Sequence, residues 1–305
     1  MDIVFVSVTN FLCGLALAPL LNGVINRTKA FFAGRAGAPL FQLYFDLFKL
    51  LRKGAVYGKT ASWVFRVAPL VGLAGLITAL ALLPFGGAPA LISFPGDFFL
   101  FAYLLGLARF FMVIGALDTG SSFEGMGASR EVLFSALAEP VFLLGLAAIA
   151  RETANLSLSG MFEGLAIDAW LHSGPALALV AAALFFVYLA ENCRIPVDDP
   201  NTHLELTMIH EVMALDYSGP DFAAVLYGAA LKLWLTGAVL IRIILPIHSG
   251  NFWIDAMVSL AGMFVLAALV GVVESIMARL RLLKIPQILL GAGTLTVLAL
   301  FLVLR

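Results

Sequence analysis

Eight stretches of about 20 apolar residues recur along this chain, near 3–25, 63–83, 98–117, 132–150, 174–190, 222–246, 253–274 and 285–304. A helix of that length spans the hydrocarbon core of a bilayer. The expected fold is therefore an all-α integral membrane protein with about eight transmembrane helices. Composition agrees: 62% of the 305 residues are hydrophobic and 12% charged, against roughly 45–50% and about 25% in soluble domains. A soluble enzyme is excluded. The connections are short, so residues 1–305 read as a single polytopic membrane domain. The first run has neither a small-residue cleavage site nor a basic leader, and is expected to stay as a helix.

Charge sets the expected orientation. Thirteen Lys and Arg fall on one side: Arg27, Lys29, Arg35, Lys49, Arg52, Lys53, Lys59 and Arg66 between the first two spans, then Arg130, Arg194, Arg279, Arg281 and Lys284. Only Arg151 and Arg305 fall on the other, with Arg109, Lys232 and Arg242 inside spans. Excess Lys and Arg marks the cytoplasmic side, which puts both termini outside. Net charge is −1, so no basic surface is offered to nucleic acid. The two cysteines, Cys13 and Cys193, cannot supply the four thiolates of an iron–sulfur cluster. No cofactor is expected in this chain.

Two cytoplasmic segments stand out. Residues 39–53 (PLFQLYFDLFKLLRK) place Gln42, Asp46 and Lys49 among leucines and phenylalanines, too short to span. They read as an amphipathic interfacial helix, anchoring at the membrane surface or docking a partner. Residues 191–221 carry seven acids: Glu191, Asp198, Asp199, Glu205, Glu211, Asp216 and Asp221. Asp199 before Pro200 suits a helix N-cap, with THLELTMIHEVMALD as the helix. His203 and His210 lie two turns apart on it, about 10 Å. That is too far for one ion, and no metal site is expected. Arg109, Glu139, Lys232 and Arg242 lie within spans, with Glu191 and Glu274 at span ends. Ionisable groups there are costly and face a partner or water, and a row of such carboxyls is what a proton path needs. Arg242 reads as snorkelling to the outer surface, and Pro140 as a kink beside Glu139. Nothing suggests a catalytic nucleophile: Ser121 and Ser122 have no nearby His, and GSSFEGMG lacks a phosphate-loop ending.

Four motifs, GRAGAPLFQLYFDLFKLLRKG (34–54), LDTGSSFEGMGASREVLFSALAEP (117–140), RIPVDDPNTHLELTMIHE (194–211) and ESIMARLR (274–281), resemble one family nearly end to end. It comprises the NuoH-type membrane subunit of respiratory complex I and its homologues in group 4 [NiFe] hydrogenases and formate hydrogenlyases. The acidic loop keeps Arg194, Pro196, Asp198, Pro200, Glu205 and Leu206 of the complex I frame, and departs at Val197, Asp199, Asn201, Thr202 and His203. This form resembles the hydrogenase branch. The resemblance implies a non-redox anchor that holds a soluble arm and passes its redox events to ion-pumping neighbours. Glu139, Glu191, Asp198, Asp199, Glu205 and Glu211 are the implied proton or ion path. Arg35, Gln42, Asp46, Lys49, Arg130, Arg194 and His203 are the implied docking and cavity residues, with Arg130 placed in a loop. The implied partners are the hydrogenase large and small subunits, a ferredoxin-like iron–sulfur subunit and antiporter-like membrane subunits, within a prokaryotic cytoplasmic membrane. Nickel–iron and iron–sulfur centres would sit on those partners. The alternatives are a quinone-binding subunit of a complex I-type dehydrogenase and an autonomous ion transporter.

Overall fold

The computed structural model describes residues 3–198 and 209–305. It contains α1 (Ile3–Phe32), α2 (Gln42–Leu51), α3 (Trp63–Leu82), α4 (Asp97–Asp118), α5 (Ser122–Thr153), α6 (Leu158–Gly164), α7 (Ile167–Glu191), α8 (Gly219–Ile244), α9 (Phe252–Ile276) and α10 (Ile285–Leu304). Eight of these are long and apolar enough to cross a membrane; α2 and α6 are not. No β-strand occurs among the described residues. The expected all-helical membrane architecture is the observed one.

Three helix boundaries depart from the apolar runs. Helix α5 begins at Ser122, ahead of the apolar stretch, so Arg130 lies on a helix and not in a loop. Helix formation needs backbone propensity, whereas hydropathy marks only the part that lipid can surround. Helix α7 begins at Ile167, but its backbone leaves the helical region at Ser173 (φ −117°, ψ 22°), two residues before Pro175. A proline lacks an N–H and crowds the preceding turn, which accounts for the break. Helix α1 runs on past residue 25 to Phe32, so Arg27 and Lys29, expected in a connection, lie on it.

Helix α8 is the centre of the bundle. Of its most apolar stretch 72% is buried, against 22–50% for the other seven, and it packs on α1, α2, α3, α7 and α9. Helix α2 is shorter than 39–53 and has no buried residue. It lies against α1 and α8, where the Tyr44 hydroxyl donates to the Ala16 carbonyl. A Cβ at Gly23 would stand 2.1 Å from the Leu40 carbonyl oxygen, so only glycine permits this approach. Phe41, Phe45, Phe48 and Leu51 stay 55–62% exposed, giving α2 the apolar outer face that an interfacial helix needs.

The end of the bundle bearing most of the basic residues is tied together by polar contacts. The Val56 amide donates to Ser218 Oγ (2.9 Å) and the Asp216 amide to Glu124 Oε1 (3.1 Å). At the opposite end the Leu158 amide donates to Asp97 Oδ1 (2.6 Å) and Trp170 Nε1 to the Ile243 carbonyl (3.0 Å). Arg242 does not snorkel. It is 4% exposed and donates to the Phe162 carbonyl (3.1 Å), capping a group that α6 would otherwise leave unsatisfied.

The chain between α7 and α8 enters the bundle. Cys193, Arg194, Ile195, Val197 and Asp198 are all buried, and none is helical. Irregular backbone at membrane depth is tolerated only where protein or a wet cavity surrounds it. The described part of the expected 202–216 helix is a single 3-10 turn, Glu211–Ala214. The N-cap reading of Asp199, and the roles of Glu205 and His203, fall outside the described residues.

Candidate functional site

Arg109 lies mid-way along α4, nine residues and about 13 Å in from its Asp118 end. Its guanidinium holds three carboxylates. Nε faces Glu131 Oε1 of α5 (3.1 Å), while the two terminal nitrogens pair with Glu139 of α5 and Glu191 of α7. Arg109, Glu131 and Glu191 side chains are 6%, 9% and 8% exposed. Lys232 of α8 adds a second cation, 3.6 Å from Glu191. His210 Nδ1 lies 3.2 Å from Glu131 Oε2. One connected chain therefore runs His210–Glu131–Arg109–Glu191–Lys232, with Glu139 as a branch. Arginine suits the hub because its planar fork can serve several carboxylates at once, which a lysine ammonium on a flexible stem cannot do with fixed geometry.

Glu139 was expected to be a buried acid. Its side chain is 49% exposed, on the lateral surface of the bundle. An ionised group there needs a partner or water beside it, because lipid offers neither. A cleft lined by Tyr103, Gly106, Arg109, Glu139, Glu191 and Thr236 opens at this point. A second cleft, on the other side of Arg109, is lined by Pro69, Met112, Ala224, Lys232 and His210. Arg109 reaches both.

A second polar group sits nearer the basic end. Glu274, with its side chain fully buried, takes Lys29 Nζ of α1 at 2.8 Å and Arg194 at 3.5 Å. Arg194 also donates to Asn22 Oδ1 of α1. Asp198 binds Arg279 (2.8 Å) and accepts from the Ile209 amide (3.0 Å). Asp198 and Arg194 are thus brought into the site region, where they tie chain segments together. Glu211 starts the 3-10 turn beside His210. Arg35 and Lys49 are exposed, with Gln42 donating to Asp46 Oδ1 (2.9 Å) on the same helix. Arg35, Gln42, Asp46 and Lys49 therefore lie apart from the Arg109 network, whereas Arg194 lies beside Asp198.

The sequence reading gives Glu131 no role, weighs Cys193 only as a cluster ligand and His210 only as a metal partner of His203, and excludes both. Glu131 lies beyond the apolar run of its span, and nothing local marks the turn that carries His210 onto it. Burial lowers the affinity of the His210 imidazole for a proton, but the Cys193 and Glu131 side chains facing it outweigh this and raise its pKa. Burial raises that of the Cys193 thiol.

Close packing keeps His210 in place. A Cβ at Gly127 would stand 2.2 Å from Val212 Cγ1 and 2.8 Å from the Ile209 carbonyl oxygen. Replacing Gly127 with Val should push the 209–214 turn off α5. Overpacking of this kind costs about 1–3 kcal/mol. Amide exchange at Val212 and Met213, both fully buried, should accelerate by about one to two orders of magnitude. Unchanged exchange would mean that the turn is held by something else.

The chain is similar to known proteins along its whole length. The profile of the family described as NADH dehydrogenase matches residues 4–304. Formate hydrogenlyase subunit 4 of Escherichia coli K12 is 30% identical over 280 residues, 90% of each chain. Hydrogenase-4 component C of the same organism is 28% identical over 280 residues, 90% of this chain and 87% of its own. A chain of the membrane-bound sulfane sulfur reductase, an archaeal respiratory membrane complex, shares the fold at a TM-score of 0.82 and 16% identity, covering 99% of this chain and all of that one. The family profile matches nearly the whole chain and the shared fold agrees with it, so this chain belongs to the NADH dehydrogenase family of NuoH-like membrane subunits.

Proposed function

We propose that this protein is the membrane anchor and coupling subunit of a multi-subunit group 4 [NiFe] hydrogenase complex. The observation that carries this reading is the Arg109 hub, which links a buried segment at the basic end to a half-exposed acid on the lateral surface. A charge change near His210 alters how strongly Glu131 holds Arg109. Whatever Glu131 releases, Glu139 and Glu191 gain. The signal thus crosses from the end where electrons arrive to the face where another membrane subunit can take over, without a redox group in this chain. The similarity to formate hydrogenlyase subunit 4 and hydrogenase-4 component C supports the hydrogenase branch. The partners would be the hydrogenase large and small subunits, a ferredoxin-like iron–sulfur subunit and antiporter-like membrane subunits. Arg35, Gln42, Asp46 and Lys49 would meet the soluble arm.

A second reading, quinone binding, is favoured by the cleft between α3, α4 and α8. Its walls include Pro69, Leu73, Leu76 and Met112, and its polar end holds His210 and Lys232. Apolar walls with few convergent polar groups suit a ring-bearing apolar ligand. Quinone-dependent turnover in purified complex would favour it over the hydrogenase reading.

Glu139→Gln tests the coupling. The side chain is half-exposed, so the variant complex should assemble normally. Dye-linked hydrogen oxidation at the soluble arm should survive, while ion uptake into vesicles falls at least tenfold. Wild-type values for dye activity, physiological turnover and ion uptake together would make Glu139 a structural acid. Orientation has its own check. We place both termini outside a prokaryotic cytoplasmic membrane, on the thirteen-to-two split of basic residues. A cysteine at Gly54 should resist an impermeant thiol reagent added to intact cells, and one at Gly250 should react. The reverse pattern would invert the topology.

A further inference from the structure

We infer that Glu131, Cys193 and His210 form a binding site for a single zinc-class divalent cation at the head of the Arg109 network. A carboxylate oxygen, the Cys193 thiol sulfur and an imidazole nitrogen lie within 4.8 Å of one another, from three separate parts of the chain. Among the described residues this is the one group of three potential metal ligands that converges in this way.

The donor set selects the ion. A thiolate, an imidazole and a carboxylate are the ligands of borderline-soft zinc, at about 2.3, 2.0 and 2.0 Å. Calcium and magnesium take oxygen donors and are disfavoured by sulfur and nitrogen. A tetrahedral ion with such bond lengths sets its ligand atoms roughly 3.5 Å apart. Glu131 and His210 are already 3.2 Å apart, so closure needs only side-chain adjustment. Three protein ligands leave a fourth position for water, and the site has an approach for it. His210 keeps 27% of its side chain open and lines the cleft between α3, α4 and α8.

The second layer of contacts is in place. Glu131 uses Oε2 towards His210, and its Oε1 faces Arg109 Nε at 3.1 Å. That ion pair occupies the place on the carboxylate that an outer-layer partner takes in metal proteins. Cys193 adopts a left-handed backbone (φ 51°), a conformation uncommon for a residue with a side chain and concentrated at functional sites.

The site does not depend on the coupling reading, because a chain of any function could hold it. The full-length chain, purified in detergent and stripped with a chelator, should bind one equivalent of Co2+ and develop thiolate-to-cobalt charge-transfer absorption. Zn2+ should displace the cobalt and abolish the band. Cys13→Ser should leave the band intact, Cys193→Ser should remove it, and His210→Gln should weaken cobalt binding at least tenfold. A second measurement needs no ligand variant. In the Cys13→Ser chain, alkylation of Cys193 by a small maleimide should slow at least tenfold when Zn2+ is present. No band in the wild-type chain, a band that survives Cys193→Ser, or alkylation indifferent to Zn2+ would overturn the assignment.

Discussion

Replacing Arg109 with Leu should prevent the protein from accumulating in membranes, or leave it without ion translocation. The guanidinium is the common partner of Glu131, Glu139 and Glu191. Without it Glu131 retains His210 and Glu191 retains Lys232 at 3.6 Å, but Glu139 loses the cation it is paired with. Removing one partner from a buried ion pair costs up to about 3–5 kcal/mol. Here the cost falls on Glu131 and Glu191, each under a tenth exposed and each losing one of two cations, while the half-exposed Glu139 adds less. Single domains are stable by only about 5–15 kcal/mol, so the loss is a large fraction of the whole. Arg109→Lys separates charge from geometry. It restores one positive charge but not the fork, so the lysine variant should accumulate and couple poorly. Membrane content by immunoblot and ion uptake in the same vesicles read both. If Arg109→Leu accumulates and pumps as the wild type does, the network is not what holds α4, α5 and α7 together, nor what couples them.

Glu274→Leu should loosen a different place. Its carboxylate joins α9 to α1 through Lys29 and to the buried stretch after α7 through Arg194. The leucine leaves Lys29 and Arg194 facing each other with no anion between them. Lys29 can turn towards solvent, since 22% of its side chain is already exposed, while Arg194 at 10% keeps Asn22. The loss should fall near the low end of the same range, about 3 kcal/mol. Heat resistance of the detergent-solubilised chain should drop clearly, and Glu274→Gln should recover part of it through hydrogen bonding alone. Equal heat resistance in all three would show that apolar packing of α1 on α9 suffices. That packing is close: a Cβ at Gly271 would lie 2.7 Å from Thr28 Cβ and 2.9 Å from the Ile25 carbonyl oxygen.

How much of this was legible beforehand depends on the kind of force involved. The eight spans follow from the number of consecutive apolar residues, since a bilayer core of about 30 Å accepts a helix of about 20 residues and little else. Lys and Arg placement supplied an orientation by counting alone. Helix α2 was visible because polar and apolar residues alternate with helical spacing within 39–53, although its ends were overestimated by two or three residues each. The family motifs marked Glu139, Glu191 and Asp198 as notable. They did not say that Glu139 stands at the lateral surface, or that Asp198 ties down Arg279 and the Ile209 amide.

The amino-acid order thus determined which segments cross the membrane, because hydrophobic burial in lipid acts on each span separately and scales with its own length. Which charges meet was decided only in the tertiary structure. Arg109, Glu131, Glu191, Lys232 and His210 come from five separate parts of the chain, and ion pairs act over a few ångströms, so their partners depend on how whole helices lie against one another. No local pattern encodes that α7 ends at the depth of Arg109, or that the chain beyond it turns inward with Cys193. Those placements arise when α8, buried on most sides, sets where its neighbours can pack. The buried carboxylates then settle wherever a cation can offset their desolvation.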